Sequence, residues 1–375
     1  MSNTKTASVR QLRQRVRNSI AWSALSAAAL AALSSHAHAD GLVISGLVTA
    51  GTSFTSNVRG DKRYGVDSGP YRPAFIGFSG TESLGGGTSA YFRLNGRFFT
   101  DSGQPLGGFF NTYSVLGLRG AFGDLSMGLT RDFMFEYYTL GGFSGSAHGG
   151  IWGGSQGPFD NFGGVYGGAP GGSFNYDRAN GESLSNSIKY THKLGDLKMG
   201  AMYSMGERSD LPHNPNSYSA GALYESGRFA ATAVITDFKF SSAATNYTHI
   251  RSLAAGTKWG MGSWTLAGGY TRTENLNTSG TINTYGLGLT KTFGSQYELT
   301  THYQYMKGNA ELLNRHAHQV LLRVATHLSK RSRIYAQAAY QIAGGQGAKA
   351  WINGSAGPSD NGRQAIAGVF LEHAF

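Results

Sequence analysis

From Leu42 to Phe375 apolar and polar residues alternate with a period of two, in segments closed by Gly, Asn, Asp or Ser. The pattern is plain between Glu298 and Met306. Leu299, Tyr303 and Tyr305 share one face, and Glu298, Thr300, His302 and Gln304 share the other. Between His318 and Leu328, Val320, Leu322, Val324 and Leu328 alternate with Gln319, Arg323 and His327. Leu287, Leu289 and Phe293 alternate with small or polar residues, as do Phe92, Leu94 and Phe98 with Arg93, Asn95 and Arg97. Successive side chains of a strand point to opposite faces, so each segment predicts a strand with one greasy and one wet side. Sixteen segments are predicted, near 42–56, 73–80, 88–99, 111–121, 124–131, 184–192, 196–206, 217–226, 228–237, 246–259, 263–274, 281–293, 295–307, 315–328, 331–343 and 363–375.

The links between segments carry a second rhythm. Tight ones such as Phe122-Gly123-Asp124, Leu194-Gly195-Asp196, Ser226-Gly227, Gly260-Met261-Gly262 and Gly294-Ser295 alternate with longer, more polar ones. Short turns at one end and longer loops at the other, with an even strand count, are the form of a single-chain transmembrane β-barrel. Gly85 to Ser89 reads as one of these turns; it lacks the Lys and following helix of a phosphate-binding loop. Phe54, Tyr71, Tyr113, Tyr190, Tyr203, Trp259, Trp264, Tyr270, Tyr297 and Tyr335 lie near segment ends, where aromatic rings suit the lipid headgroup level.

The front of the chain differs. Lys5, Arg10, Arg13, Arg15 and Arg17 precede an apolar stretch from Ile20 to Leu33 that ends at Ala37-His38-Ala39. This is the order of a signal peptide, which predicts export and a mature chain starting at Asp40. The apolar stretch is shorter than the roughly 20 residues of a membrane helix. Residues 1–39 are thus assigned to targeting and 40–375 to one barrel domain.

Composition then removes alternatives. There is no Cys, so disulfides and thiolate metal sites are excluded. The net charge of +11 suggests nucleic acid, yet of the 32 Lys and Arg five fall in the first 39 positions, leaving 27 scattered against 21 acids. No nucleic-acid footprint results. His316 and His318 share a face without a carboxylate at ligand spacing, and no Gly-x-Ser-x-Gly elbow occurs. No catalytic residue, metal site or cofactor is expected.

Several stretches resemble the general porins of Gram-negative bacteria, particularly the β-proteobacterial type: Gly46 to Asn57 (GLVTAGTSFTSN), Gly77 to Gly96 (GFSGTESLGGGTSAYFRLNG), Gly117 to Asp132 (GLRGAFGDLSMGLTRD) and Asn186 to Gly206 (NSIKYTHKLGDLKMGAMYSMG). The terminal Phe375, on an alternating strand with Val369, Leu371 and His373, resembles the signal read by outer-membrane assembly machinery. The resemblance implies a sixteen-stranded antiparallel barrel in the outer membrane, a homotrimer surrounded by lipid. It would be a passive channel for small hydrophilic solutes and ions, with the third loop folded inward. Here that loop is residues 132–183, which Phe133, Phe135, Tyr137, Trp152, Phe159 and Phe162 would anchor. Pro158 to Gly164 (PFDNFGG) looks like the family's Pro-Glu-Phe-Gly-Gly motif, with Asn161 at the glutamate position and Asp160 beside it. The wall arginines of the enterobacterial relatives would fall near Phe75 and Leu129, neither of them basic.

Alternation points Arg93, Arg97, Arg119, Lys189, Lys198, Lys258 and Arg323 inward, with Glu298 as their main acidic counterpart on the wall. Asp132, Glu136 and Asp160 would contribute acids from the loop. Cations outnumber acids, so mild anion preference is expected. The alternatives are a barrel enzyme such as a lipase or protease, and a surface adhesin or structural barrel. Conductance across a planar bilayer separates the channel from both.

Overall fold

The computed structural model describes residues 39–160, 162, 183–206, 216–240 and 248–375. The predicted targeting segment, Ala39 apart, and Asn161 lie outside the described residues. Strands β1 (Ala39–Val58), β2 (Asp61–Ser68), β3 (Phe75–Gly85), β4 (Thr88–Arg97), β5 (Tyr113–Gly120) and β6 (Gly123–Arg131) come first. After the long loop follow β7 (Ser183–Leu194), β8 (Leu197–Ser204), β9 (Ser217–Ser226), β10 (Phe229–Phe240), β11 (Thr248–Met261) and β12 (Trp264–Asn275). The last five are β13 (Gly280–Phe293), β14 (Tyr297–Gly308), β15 (His316–His327), β16 (Ser332–Gly344) and β17 (Arg363–Ala374). All belong to one antiparallel sheet, which closes where β17 pairs with β1 from Leu47↔Ala374 to Thr55↔Ile366.

Seventeen strands make sixteen staves. β2 and β3 both pair with β1, as Ala50↔Ser68 and Leu47↔Phe75 show, so they are two halves of one stave. Between them Gly69 to Ala74 contains Pro70 and Pro73, which cannot donate to a ladder and so break it. The sequence predicted only the second half. Elsewhere the expected strands are observed within a few residues. Gly195, Gly227, Gly262 and Gly294 sit in tight turns at φ between 56° and 62°, a left-handed conformation that costs glycine nothing.

Burial alternates along the strands as the sequence pattern requires. In β15, Val320, Leu322 and Val324 are exposed on the outer face, and Gln319, Leu321 and Arg323 are buried on the inner. The cross-strand register arranges the outer face of β12–β15 into rows. Tyr270, Tyr285, Tyr305 and His318 are successive partners near the long-loop end. Trp264 and Lys291 pair near the short-turn end, beside Phe293 and Tyr297. Leu266, Leu289 and Leu322 lie between. Eight residues separate Tyr285 from Phe293, about 27 Å along a strand and roughly 20 Å along the barrel axis at the usual tilt. Two aromatic girdles therefore bound an apolar band. Tyr71, Tyr113 and Tyr335, predicted to be in a girdle, instead face inward. Tyr113 and Tyr335 are buried on the inner parity of their strands, and Tyr71 packs partly buried against the second.

Inside the barrel, the segment after β6 lies on the polar face of the wall. A π-helix, Met134–Thr139, is followed by a short helix, α1 (Gly145–Gly149), and a 3₁₀ turn, Gly150–Gly153. Phe133, Met134, Tyr137, Tyr138 and Phe143 pack on inner-face residues of β7–β11 such as Met202, Leu223 and Val234. Trp152 packs on β15–β17, against Leu321, Tyr335 and Phe370. Phe159 and Phe162 reach Ile250, Ile282 and Met306. Burial of each large apolar side chain contributes about 1.5–3 kcal/mol toward the cost of ordering this segment.

The polar part of the seat is a row of amides. Gln304, Gln319, Gln341 and Gln364 are successive cross-strand partners on β14–β17. Gln319 Nε2 donates to the Trp152 carbonyl at 2.9 Å, and Gln304 Nε2 to the Gly153 and Gly154 carbonyls at 3.4 and 3.3 Å. Gln341 and Gln364 accept from the backbone N–H groups of Trp351 and Ile352, each at 2.7 Å. The loop between β16 and β17 thus also folds onto the inner wall.

Candidate functional site

The inner face of β4–β6 is built for cations. Residues at alternate positions of β4 give Arg93 and Arg97 one direction, and their partners on β5 place Tyr113 and Arg119 on the same face. Each guanidinium lies over an aromatic ring. Arg93 Cζ is 3.8 Å from the Tyr113 centroid, Arg119 4.3 Å from Tyr91, and Arg131 4.3 Å from Phe135. Arg97 Cζ is 6.0 Å from the Phe135 centroid. Stacking holds a guanidinium in place by its flat face and leaves its N–H edge free for an anion. Among the described residues no carboxylate lies within ion-pair distance of Arg93, Arg97 or Arg131, whereas Arg119 pairs with Asp124 at 3.3 Å.

The loop adds its acid from the side. Glu136 Oε2 is 2.7 Å from Lys189 Nζ, and Tyr113 Oη donates to its other oxygen at 3.3 Å. Lys189 also donates to the Arg131 carbonyl at 2.7 Å. Arg93, Arg97, Glu136 and Lys189, four of the residues singled out in the sequence, therefore meet through Tyr113 and Phe135.

The wall of β14–β17 holds a second charged group. Arg323 pairs with Glu298 at 2.6 Å, and Arg333 with its cross-strand partner Glu372 at 2.9 Å. Tyr71 lies against both cations, 3.3 Å from Arg323 Cζ and 4.4 Å from Arg333 Cζ. Arg72, in the same break between β2 and β3, also reaches Glu372. The break is what lets Tyr71 and Arg72 leave the sheet and enter the lumen, where the Pro70 carbonyl accepts from Ile151 N–H at 2.7 Å.

Two of the predicted acids do other work. Asp132 is 1 % exposed and accepts from Phe135 N–H at 2.9 Å and from the Thr236 hydroxyl at 2.9 Å, so it caps the π-helix and ties it to β10. Asp160 pairs with Arg315 in the loop after β14, away from Arg93 and Arg97. Lys258, expected inward, points inward and donates to the Gly141 carbonyl at 2.6 Å. Lys198, also inward, pairs with Glu225 at 3.2 Å near the short turns. Sequence reasoning missed Arg72, Arg131, Arg333 and Glu372. Alternation with Val369 and Leu371 already put Glu372 on the inner face, and Arg72 and Arg131 sit three and two positions from Phe75 and Leu129.

A pair of imidazoles joins the loop to the wall. His148 on α1 stacks on His302 of β14, with centroids 5.1 Å apart. Its Nδ1 bonds to the Ser144 carbonyl at 2.8 Å. Burial pushes the His148 pKa below its ordinary value, against the bond to the Ser144 carbonyl, with further lowering by Arg323 and Lys258. The pair fits because Gly286 and Gly288 of β13 carry no side chain; a Cβ on Gly288 would lie 2.2 Å from His148 Nε2.

Comparison with known proteins agrees with this geometry. A model of Gram-negative porins matches residues 24–346. Outer membrane porin protein 32 of Delftia acidovorans is 27% identical over 377 residues, covering 94% of this chain and 99% of that one. Among solved structures, the anion-selective porin from Comamonas acidovorans superposes with a TM-score of 0.75 at 24% identity, over 90% of this chain and all of that one. OmpT of Vibrio cholerae, in its trimer form, gives a TM-score of 0.63 at 14% identity, over 89% of this chain and 99% of that one. At these identities the structural likenesses speak for the fold.

Proposed function

Because the chain belongs to the Gram-negative porin family and is a passive outer-membrane channel and not an enzyme, we propose that its lumen favours small hydrophilic anions and that residues 132–183 form its constriction. The observation that carries the anion preference is the run of guanidiniums on β4–β6. Arg93, Arg97 and Arg131 have no carboxylate beside them among the described residues, and a ring of uncompensated fixed charge selects against ions of its own sign. Glu298, Glu372 and Glu136 are each engaged by a cation. The similar Comamonas porin is anion-selective, which supports the same sign. The test is the reversal potential of the purified protein in a planar bilayer under a KCl gradient. The chloride sign is expected; a potassium sign refutes the preference.

A homotrimer is the second part of the reading. It is supported by the trimer form described for OmpT and by small outward residues on adjacent strands, namely Ala336 and Ala338 of β16, Ala367 of β17 and Thr52 of β1. Small side chains allow two sheet faces to approach closely. Residues 1–39 act as the signal peptide in this reading, and N-terminal sequencing of the exported protein is expected to begin at Asp40.

A further inference from the structure

The outer face carries a row that conduction does not use. One step beyond the tyrosine row, toward the long loops, Arg272, Asn283, Lys307 and His316 are successive cross-strand partners on β12, β13, β14 and β15. All four are on the outward parity of their strands. We infer that this row is a binding site for the phosphate of an outer-leaflet lipid headgroup.

Three observations point to phosphate. Every side chain in the row supplies hydrogen-bond donors. Tyr270 Oη donates to Asn283 Oδ1 at 2.8 Å, which occupies the amide oxygen and leaves the Asn283 NH₂ facing away from that bond. Lys307 has no ion pair among the described residues, and the one carboxylate beside Arg272 is at the long end of ion-pair distance. Lys307 Nζ bonds to the Asn314 carbonyl at 3.1 Å, and Arg272 has only Glu274 at 3.7 Å, with both side chains partly exposed. Strands lie about 4.8 Å apart, so Arg272 and Lys307 flank Asn283 at roughly 10 Å from each other, a span that a phosphate over the amide can bridge.

The depth is right as well. Tyr270, Tyr285 and Tyr305 form a continuous ring contact, 5.1 and 6.4 Å between centroids, at the level where amphipathic rings meet headgroups. Two residues further along a tilted strand is about 5 Å further out, the level of the phosphates. The opposite girdle on these strands offers Lys291 alone, stacked on Trp264 at 4.6 Å and bonded to Ser263. The donor row thus belongs to the long-loop rim, which faces outward in this family.

The test uses the full mature protein in nanodiscs. A bisphosphorylated diglucosamine lipid is titrated against the wild type, Arg272→Gln/Lys307→Gln and, as a control at the other rim, Lys291→Gln, with retained lipid read by native mass spectrometry. Removing two surface cations is expected to weaken retention about 30-fold, and K291Q to leave it unchanged. The dephosphorylated lipid is expected to be retained no better by the wild type than by the double variant. Equal retention by wild type and double variant overturns the site, as does equal retention of both lipids. A disulfide between copies of an Asn283→Cys variant in the native membrane also overturns it, since the row would then be a protein interface. Conductance of the double variant is expected to equal that of the wild type, so loss of the lipid site and loss of channel function are separable.

Discussion

Arg93→Gln isolates what one stacked guanidinium does to ion flow. Arg93 is exposed to the lumen, and its held contact is the Tyr113 ring at 3.8 Å, so the substitution costs the fold about 0.5–1 kcal/mol at most. Its electrostatic effect is larger. An ion passing at about 6 Å through water feels roughly 0.7 kcal/mol from one unit charge. That energy favours chloride and opposes potassium, so removing it changes their ratio by about 1.4 kcal/mol, close to tenfold at low ionic strength. Salt screens the term, with a Debye length near 10 Å at 0.1 M and about 3 Å at 1 M. The assay is the reversal potential at a fixed KCl ratio and two absolute concentrations. A large loss of chloride preference in dilute KCl, shrinking toward nothing in molar KCl, is expected. An unchanged potential at both concentrations, with normal conductance, refutes the reasoning.

Glu372→Gln leaves Arg333 buried without its charge partner and is expected to cost about 3–5 kcal/mol, lowering the heat-unfolding temperature in detergent; adding Arg333→Met is expected to restore most of it. Gly288→Val places a side chain where His148 sits, and limited proteolysis is expected to cut residues 132–183 faster while the strands stay protected. His148 has a lowered pKa in the docked loop, so the undocked form binds the proton more readily. Docking is complete above the ordinary value near 6.5 and weakens as pH falls below it. Proteolysis at pH 5 against pH 7.5 reads the change, and His148→Phe is expected to flatten it.

Most of the barrel was legible because lipid and water impose opposite demands on neighbouring residues. β15 shows it best: Val320, Leu322 and Val324 declare one face, and Gln319 and Arg323 the other. β2 was not legible, because its Lys62, Arg63 and Asp67 resemble a loop. In the structure Arg63 and Asp67 neutralise each other at 2.6 Å along one face, with Tyr64 and Val66 outward. Several inward cations on the wall, Arg93, Arg97, Lys189 and Arg323 among them, were readable by alternation alone. Their partners were not, since Arg333 meets Glu372 only through the register of β16 and β17, 39 residues apart in sequence. Asp132 was expected to face solute because it is acidic and begins the loop. Its position three residues before the Phe135 amide also suits a cap, and burial decides for the cap.

The amide row on β14–β17 has a consequence for how the channel answers to salt. Carboxamides neither titrate nor recruit counterions, so the framework they clasp keeps its dimensions whatever the salinity. On the proposed reading, ion discrimination rests on guanidiniums and fades as the medium concentrates. The bore is therefore set by the polypeptide, while its preference is left to the environment.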